Sequence, residues 1–359
     1  MRSRLFYILL AVILAAPAVA GPFFSVVDLG SLGAGSAAFA LNSSGMAAGY
    51  SLNSRLDPSG VLLGGVSAPV DLWAGQVNGI NDAGTAAGTT YSNGLRQAAI
   101  ASHGTITSLG TLGGVESEAM AVNSSGVAAG RADTGSGQGR AFRWSQGVMQ
   151  DLGTSPGGTW SAAYAINGAG AVAGTVMTAG GAFRAAMWTP EMLLLELGTL
   201  GGNDSYAFAI NERGQIAGHS TTAAGWMHAF LFSGGVMRDL GTLGGGSSYA
   251  YGVSDAGWVV GYSRPPAGPH SHAFLWRDGV MSDLNSLIPG ATGWELLEAY
   301  AVNGSGQIAG AGLYGGEMRA FRLDPAAVPT TANPEPGTLV LLPLGLLAIR
   351  LRRRGRFQA

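Results

Sequence analysis

The chain has 359 residues, of which 60 are glycine, 47% are hydrophobic and only 11% are charged, and it contains no cysteine. A soluble domain usually carries about 25% charged residues, so glycine, serine, threonine and asparagine must cover much of this surface. The absence of cysteine excludes disulfide bonds, thiolate nucleophiles and cysteine-ligated metals. It does not exclude export, because a large core can do without covalent cross-links.

Residues 1–20 have the organisation of a secretory signal peptide. Two arginines precede an apolar run, and Ala18 and Ala20 supply the small side chains of a cleavage site. We therefore expect signal peptidase to cut after Ala20. A buried N-terminal strand or helix is the alternative interpretation of this segment.

Residues 21–324 are dominated by an internal repeat with the pattern Asn-x-x-Gly-x-x-x-Gly. Six copies begin with asparagine and one begins with serine. Their first residues are Asn42, Asn81, Asn123, Asn167, Asn211, Ser254 and Asn303. The spacing of about 40–45 residues is typical of the blades of a propeller.

Each repeat reads as four short strands, which we name A to D in chain order. In the fifth repeat they are residues 205–210, 215–218, 228–232 and 236–241. Each is rich in Ala, Val, Ile or aromatic residues and is bounded by turn residues. The asparagine and the glycine three residues later predict a type I turn between strands A and B. Each repeat is thus predicted to be an antiparallel meander.

These repeats predict an all-β fold, a seven-bladed β-propeller of four-stranded antiparallel blades. The ends of the repeat region support a closed ring. Residues 24–30 have the pattern of a lone strand D, whereas the last repeat stops after its strand C at residues 319–323. We expect the N-terminal strand to complete the last blade, so that no long sheet edge stays open.

The chain after residue 324 has the organisation of a sorting signal. Residues 325–336 are a proline-rich spacer, residues 337–349 are apolar, and an arginine cluster follows. The apolar run is shorter than the ~20 residues of a comfortable membrane span, and arginines favour the cytoplasmic side. We expect a transient insertion into the inner membrane. A permanent tail anchor is the alternative.

This tail resembles the PEP-CTERM sorting signal of exported Gram-negative bacterial proteins. Pro334, Glu335 and Pro336 come first, and the apolar run and the arginines follow in the same order. The resemblance implies recognition by an exosortase-type peptidase and removal of residues 337–359. It implies a protein that is membrane-tethered before processing and is then secreted or displayed at the cell surface.

The repeat region resembles the HAF repeat of bacterial extracellular proteins. It contains Asp-Leu-Gly-Thr-Leu-Gly-Gly and Asn-x-x-Gly, and the tripeptide His-Ala-Phe stands at residues 228–230 and 272–274. Arginine replaces the histidine at positions 140 and 319. The resemblance implies export and repetition but no known reaction. The propeller prediction comes from the strands and not from this resemblance.

The composition of the repeat region also predicts which ligands are absent. Between the two terminal segments stand twelve arginines, no lysine and twenty acidic residues. Nucleic-acid recognition needs clustered positive charge, so we expect no nucleic-acid partner. We expect no cofactor, because no phosphate-binding or hydrolase motif stands in the chain. We expect no metal, because His270 and His272 lack a third ligand at a suitable spacing.

Residues that recur once per blade are predicted to be structural, because catalysis needs one asymmetric group of side chains. His228 and His272 occupy a position that holds arginine in other repeats. The recurring acids are expected to accept backbone hydrogen bonds in turns; they are Asp28, Asp71, Asp151, Glu196, Asp239 and Asp283. The recurring aromatic residues are expected to pack between blades; they are Trp144, Trp188, Phe232 and Trp276.

The B–C and D–A connections emerge on one face of such a ring and vary strongly between repeats. Variable loops on a rigid scaffold often carry function. The predicted B–C loops are residues 50–58, 131–139, 219–227 and 262–271. We predict a ligand-binding face here, with candidate residues Arg55, Asp57, Tyr91, Arg96, Trp160, Asp204, Trp226, Arg264 and His270.

We therefore expect an exported, non-enzymatic binding or scaffold module of the cell surface or extracellular matrix, associated with exopolysaccharide or biofilm. A propeller-based glycan hydrolase or lyase is the alternative. Its two carboxylates, about 5–10 Å apart, would come from the non-recurrent loop acids Asp57, Glu116, Asp133, Asp204, Glu295 and Glu317. A third possibility is a ring that acts only as a spacer or coat.

Overall fold

The computed structural model describes residues 23–64, 69–291 and 293–326, which form a seven-bladed β-propeller. The predicted signal peptide, the Pro334-Glu335-Pro336 motif and the apolar tail lie outside these residues. Within the described residues, no helix has the length and apolar character to span a membrane.

The first strand closes the ring, as predicted. In blade 7, β1 (Phe23–Asp28) pairs antiparallel with β27 (Glu317–Ala326), which is followed by β26 (Ile308–Tyr314) and β25 (Trp294–Val302). Val26 lies opposite Leu323 in this ladder. Strand β27 extends three residues beyond the predicted 319–323, into the predicted spacer, because β1 supplies pairing partners as far as Ala326.

The remaining blades follow the same meander, and blades 1 and 2 share the long strand β5 (Val70–Ile80). Residues 70–74 of β5 pair with β4, and residues 75–80 pair with β6. Blade 1 also contains β2 (Gly33–Leu41), β3 (Ala47–Asn53) and β4 (Pro58–Leu63), and blade 2 contains β6 (Ala86–Ser92), β7 (Leu95–Ser102) and β8 (Thr105–Gly110).

Blades 3 to 6 are separate four-stranded sheets. Blade 3 contains β9 (Gly113–Val122), β10 (Ala128–Thr134), β11 (Gly139–Ser145) and β12 (Val148–Asp151). Blade 4 contains β13 (Ser161–Ile166), β14 (Val172–Met177), β15 (Phe183–Trp188) and β16 (Leu194–Glu196). Blade 5 contains β17 (Gly201–Ile210), β18 (Ile216–Thr222), β19 (Met227–Ser233) and β20 (Val236–Asp239). Blade 6 contains β21 (Ser248–Val253), β22 (Val259–Ser263), β23 (His272–Arg277) and β24 (Val280–Asp283), and a 3-10 helix (Leu284–Leu287) follows.

The hydrophobic core lies between neighbouring blades. Trp188 of blade 4 is fully buried in one cluster with Ala129 and Ala141 of blade 3. Trp276 of blade 6 packs in the same way with Ala217 of blade 5. Trp144 and Phe232 are partly buried in the equivalent clusters. The predicted packing of the recurring aromatic residues between blades is therefore confirmed.

The first glycine of each repeat closes the A–B turn, as predicted. In blade 5 the N–H of Gly214 donates to the carbonyl of Asn211 over 3.0 Å, and Gly214 has a φ of 71°. The side-chain oxygen of Asn211 accepts from the N–H groups of Arg213 and Gln215. In blade 5 the turn is therefore stabilised by both the amide side chain and the left-handed glycine.

The second glycine lies inside strand B, and its predicted position at the end of that strand is wrong. Strand β18 continues four residues beyond Gly218, to Thr222. A Cβ on Gly218 would lie 1.9 Å from the carbonyl oxygen of Tyr206 on strand A. Glycine is thus required because the two backbones approach closely. The B–C connections are correspondingly shorter than predicted, and Tyr50, His219 and Tyr262 belong to strands.

Candidate functional site

A cavity of about 250 Å³ lies on the axis of the ring. Strand A of every blade contributes one side chain, and each stands three residues before the A–B turn residue. We call this set the channel ring; it consists of Phe39, Asn78, Met120, Tyr164, Phe208, Tyr251 and Tyr300. Gln76 completes the lining.

Each residue of the channel ring is the extra residue of a β-bulge. The register between strands A and B shifts at this position in all seven blades. In blade 5, Ala207 and Ala209 pair with the consecutive residues Gly218 and Ala217, so Phe208 between them has no partner. Bulges redirect side chains and are frequent next to functional sites. Here the bulge directs one side chain per blade towards the axis.

The channel ring is chemically uneven. Blades 2 and 3 contribute Asn78 and Met120, whereas the other five blades contribute aromatic rings. Neighbouring rings are in contact, with centroid distances of 4.7 Å for Tyr164–Phe208, 5.2 Å for Phe208–Tyr251, 5.5 Å for Tyr251–Tyr300 and 5.1 Å for Phe39–Tyr300. We call these five residues the aromatic arc. They form a continuous apolar wall around most of the cavity.

A second layer of rings supports the aromatic arc from strand B and from the preceding part of strand A. Tyr50 lies 5.6 Å from Phe39, and Tyr262 lies 5.9 Å from Tyr251. Burial raises the pKa of Tyr164 to about 12, and it also raises the pKa of Tyr251. The phenols are therefore neutral at physiological pH, so they present stacking faces and hydroxyl groups without charge.

His219 belongs to this supporting layer. It is 8% exposed and stacks on Phe208, with the ring centroids 5.0 Å apart. Burial lowers its pKa to about 4. Within the described residues, its buried Nδ1 atom has no hydrogen-bond partner. The imidazole is therefore neutral at physiological pH and acts as part of the apolar wall.

Two carboxylates, those of Glu118 and Glu298, lie next to residues of the channel ring. Glu118 lies 3.9 Å from Arg96. Glu298 is half-buried, two residues before Tyr300, and its carboxylate accepts a hydrogen bond from the Tyr300 hydroxyl. Burial, and to a lesser extent the charge of Glu298, raise the pKa of Tyr251 and of Tyr262. Among the residues that the structure describes, Glu298 takes part in no ion pair.

A second cavity, of about 210 Å³, lies between blades 1, 2 and 3 and shares Gln76 with the axial cavity. Two predicted residues, Tyr91 and Arg96, face each other across the β6–β7 hairpin and line this cavity. Arg96 lies 3.2 Å from Glu116 and 3.9 Å from Glu118. Its hydrogen bond to Glu116 raises the pKa of Arg96 and lowers that of Glu116. The charge of Arg96 is therefore already compensated.

The other predicted binding residues lie around the rim, and none of them lines either cavity. Trp160 packs edge-on against Phe183, with a centroid distance of 5.6 Å. Asp204 accepts a 2.8 Å hydrogen bond from the N–H of Phe183. Both side chains thus support strand C of blade 4. Trp226 is 57% exposed.

The remaining rim residues are exposed. They are Arg55, Asp57, Arg264 and His270. His270 places Nδ1 2.8 Å from Oε1 of Glu295. The structure thus brings Tyr91 and Arg96 together at the second cavity, and it brings Trp160 and Asp204 together around Phe183. The other candidates are dispersed.

Four of the six recurring acids accept a hydrogen bond from the backbone N–H two residues on, as predicted, and one of them is Asp283, which accepts from Asn285. Oδ1 of Asp239 accepts a 2.8 Å bond from the N–H of Gly241, and Asp28 and Asp151 do the same for Gly30 and Gly153. Glu196 and Asp71 accept instead from the hydroxyl groups of Ser155 and Ser59.

The recurring histidines bind these acids. Nδ1 of His228 lies 2.9 Å from Asp239, and Nδ1 of His272 lies 2.7 Å from Asp283. Each histidine thus links strand C to strand D of its own blade, which agrees with the predicted structural role. Across the described ranges, no group of three metal-ligating side chains occurs.

Several loop acids of the enzyme hypothesis have a basic partner of their own. Glu116 binds Arg96, Glu295 binds His270, and in blades 3 and 7 the pairs are Asp133–Arg131 and Glu317–Arg319. The N–H of Glu116 also donates to Asp133, over 3.3 Å. The described contacts of these four acids are therefore those of ion pairs.

No family model and no curated protein sequence matches this chain. Solved structures with a similar fold include the β-propeller domain of the Trilobed protease from Pyrococcus furiosus, at 9% identity and a TM-score of 0.50, covering 84% of this chain and 96% of that domain. YCF48 bound to D1 peptide is similar at 11% identity and a TM-score of 0.51, covering 88% of this chain and 99% of YCF48.

A puromycin-hydrolyzing peptidase from Mycobacterium tuberculosis is similar at 11% identity and a TM-score of 0.51, over 81% of this chain and 52% of that protein. The Pyrococcus domain is described as having an open velcro topology, whereas β1 and β27 are paired here. At such identities the likeness establishes the β-propeller fold and nothing finer.

Proposed function

We propose that this protein is an exported, non-enzymatic binding module that holds exopolysaccharide at the cell surface or in the extracellular matrix through its axial cavity. The observation that carries the proposal is the aromatic arc. Five contacting rings surround a cavity of about 250 Å³, while Gln76 and Asn78 supply amide groups on the remaining side.

This combination suits a sugar. Ligand sites are largely apolar and contain a few placed polar groups. Aromatic faces can stack on the C–H face of a pyranose ring, and amides can hydrogen-bond to its hydroxyl groups. Propellers serve many unrelated functions, and similar folds here include a peptide-bound protein and a peptidase. The side chains of the cavity, and not the fold, therefore support the choice of ligand.

Export is the second part of the proposal. It is supported by the signal-peptide pattern of residues 1–20 and by the PEP-CTERM-like tail. Mass spectrometry of the protein released by the cells tests both ends. We expect an N-terminus at Gly21 and loss of residues 337–359. Recovery of the intact tail in membranes would contradict processing by an exosortase-type peptidase.

Binding can be tested with the mature protein and a panel of bacterial exopolysaccharides. We expect Tyr251→Ala and Tyr300→Ala each to weaken binding about 3- to 10-fold, in line with about 0.5–1.5 kcal/mol for a stacked aromatic contact. Tyr314→Ala is the matched control, because Tyr314, at the end of β26, is 44% exposed and does not line the cavity. Equal effects of all three variants would contradict the proposed site.

A further inference from the structure

Resting on the proposed function, we propose that the axial cavity selects sugars that carry a positively charged amino group. The cavity combines aromatic faces with a neighbouring carboxylate, Glu298, that has no cationic partner among the described residues. The residue that corresponds to Glu298 is alanine in blades 1 and 4, glutamine in blade 2 and tyrosine in blades 5 and 6. In blade 3 it is also a glutamate, Glu118, but this carboxylate lies 3.9 Å from Arg96, whereas Glu298 has no such partner among the described residues.

The aromatic arc favours a cation. The face of an aromatic ring is electrostatically negative and attracts ammonium groups, most strongly where water is excluded. The five rings of the aromatic arc surround one axis. An amino group on that axis would therefore contact several of these rings. The phenols are kept neutral by burial.

Glu298 adds a full negative charge beside this wall. Its carboxylate is bonded to the hydroxyl of Tyr300, and Tyr300 lines the cavity. A half-buried carboxylate loses hydration, and this loss is offset only by hydrogen bonds or a countercharge. A ligand ammonium group would supply the countercharge that the described protein residues do not.

The positive charges nearest the cavity do not favour an acidic sugar instead. Arg96 is paired with Glu116 and Glu118, and Arg131 is paired with Asp133. Arg264 is exposed on the rim of blade 6. Among the residues that the structure describes, no arginine or histidine lines the axial cavity. A uronic acid would therefore bring its carboxylate towards Glu298 without a free cation to receive it.

The size of the cavity restricts the ligand further. About 250 Å³ is below the range of about 300–1,000 Å³ for pockets that hold drug-sized ligands. One sugar ring fits such a volume better than a longer segment of chain. We infer that a single terminal or side-branch amino sugar enters the cavity, while the rest of the polysaccharide lies across the rim.

Calorimetric titration of the mature protein with matched oligosaccharides tests this inference. The ligands are a β-1,4-linked glucosamine oligomer, its fully N-acetylated counterpart, a neutral cello-oligomer and a uronate oligomer of the same length, at a pH that keeps the amine protonated. We expect the glucosamine oligomer to bind at least tenfold more tightly than the other three. The preference should weaken as salt is raised, because it depends on charge.

Two variants test whether Glu298 causes the preference for the glucosamine oligomer. Glu298→Gln should remove the preference, so that the glucosamine oligomer and its N-acetylated counterpart bind this variant with similar affinity. Glu191→Gln is the matched control, because Glu191 is exposed in a C–D turn at the opposite end of the ring and should change nothing. The wild-type series decides the question by itself if Glu298→Gln does not fold.

The outcomes separate the two proposals. Equal binding of the glucosamine and N-acetylated oligomers, or a preference that survives in Glu298→Gln, overturns the inference and leaves a sugar-binding propeller. Tightest binding of the uronate oligomer also overturns it. A protein that binds no oligosaccharide or exopolysaccharide at all overturns the proposed function and the inference with it.

Discussion

The A–B turns and the channel ring lie a few residues apart, and both are repeated seven times. The residue type is nearly constant at the turns but varies in the channel ring. At the turns, asparagine stands in six of the seven blades. In each of these, the side-chain amide donates to the turn carbonyl of the next blade, over 2.8 to 3.3 Å. Asn303 donates to Asn42 and thereby links the last blade to the first.

The channel ring repeats only in its backbone. Every blade has the bulge, but the bulged residue is Phe, Asn, Met or Tyr. A position that must satisfy buried backbone groups in each blade tolerates few residue types. A bulged residue that faces an open cavity is free to vary. The comparison shows that the same backbone conformation in every blade can present a different side chain to the cavity from each blade.

The turns contain one exception. Ser254 stands where the other blades have asparagine, so no side-chain amide links blade 6 to the turn carbonyl of Asn303. A bulky ring lies at this junction instead. A Cβ on Gly306 of blade 7 would lie 3.0 Å from the ring of Trp258 of blade 6.

The largest expected effect distinguishes the two glycines of the repeat. Gly218→Ala should destabilise the protein by at least about 4 kcal/mol, because its Cβ would lie 1.9 Å from the Tyr206 carbonyl oxygen. Gly214→Ala should cost only about 1–2 kcal/mol, because no atom lies within 4 Å and only the left-handed backbone is strained. Urea unfolding measures both. Similar losses would contradict the close approach of strands A and B.

The next largest effect is a pH dependence of stability that is due to His219, in the layer that supports the aromatic arc. His219 has a pKa of about 4 in the folded state against an ordinary value of 6.5. As the pH is lowered, His219 therefore takes up a proton in the unfolded chain before it does so in the folded protein. The free energy of unfolding falls as the pH is lowered from about 6.5 to about 4. The loss at the acidic end is about 3 kcal/mol.

The variant His219→Phe keeps a ring against Phe208 and removes the titrating group. The difference in free energy of unfolding between this variant and the wild type should change with pH only in that window. The other histidines are common to both proteins, so their contributions cancel. A difference that does not depend on pH would show that His219 is solvated.

A smaller loss is expected from breaking one link between turns. Asn167→Ala removes the acceptor of the Ala171 N–H group and the donor to the Asn211 carbonyl. Leaving buried polar groups without partners costs about 1–3 kcal/mol. Asn203→Ala is the matched control, because Asn203 is exposed, and it should stay within about 0.5 kcal/mol. Equal stabilities of the two variants would contradict a structural role for the turn asparagines.

The smallest effect is a gain. Ser254→Asn restores the residue that the other six blades have, and its amide can reach the carbonyl of Asn303 as in the other junctions. One added hydrogen bond should raise the free energy of unfolding by about 1 kcal/mol. Thermal and urea unfolding measure the change. A loss of stability would show that Trp258 leaves no room for the asparagine.

The architecture could be predicted from the sequence because turn chemistry is local. Asn42 and Gly45, and their counterparts in the other repeats, mark the hairpins, and the spacing of these pairs counts the blades. The lone strand near Val26 and the missing last strand identified the closing pair. The links between turns could not be predicted, because Asn167 and Asn211 are 44 residues apart and meet only when the blades assemble.

The proposed binding site was not predicted from the sequence. Strict alternation along strand A assigns each side chain to one of two faces, and a bulge breaks that alternation at Phe208 and its counterparts. A signal was nevertheless present. The residue three positions before the turn is aromatic in five of seven repeats but is not constant. The sequence favoured the variable rim loops instead, and two of their candidates, Tyr91 and Arg96, line the second cavity.

The most direct test of the central claim is a crystal structure of the mature protein with a bound oligosaccharide from its own exopolysaccharide, or with the glucosamine oligomer. The account predicts one sugar ring inside the channel ring, in contact with Tyr251 and Tyr300, with its amino group close to Glu298. A sugar bound only to rim residues such as Trp226, with the axial cavity empty, would contradict the account.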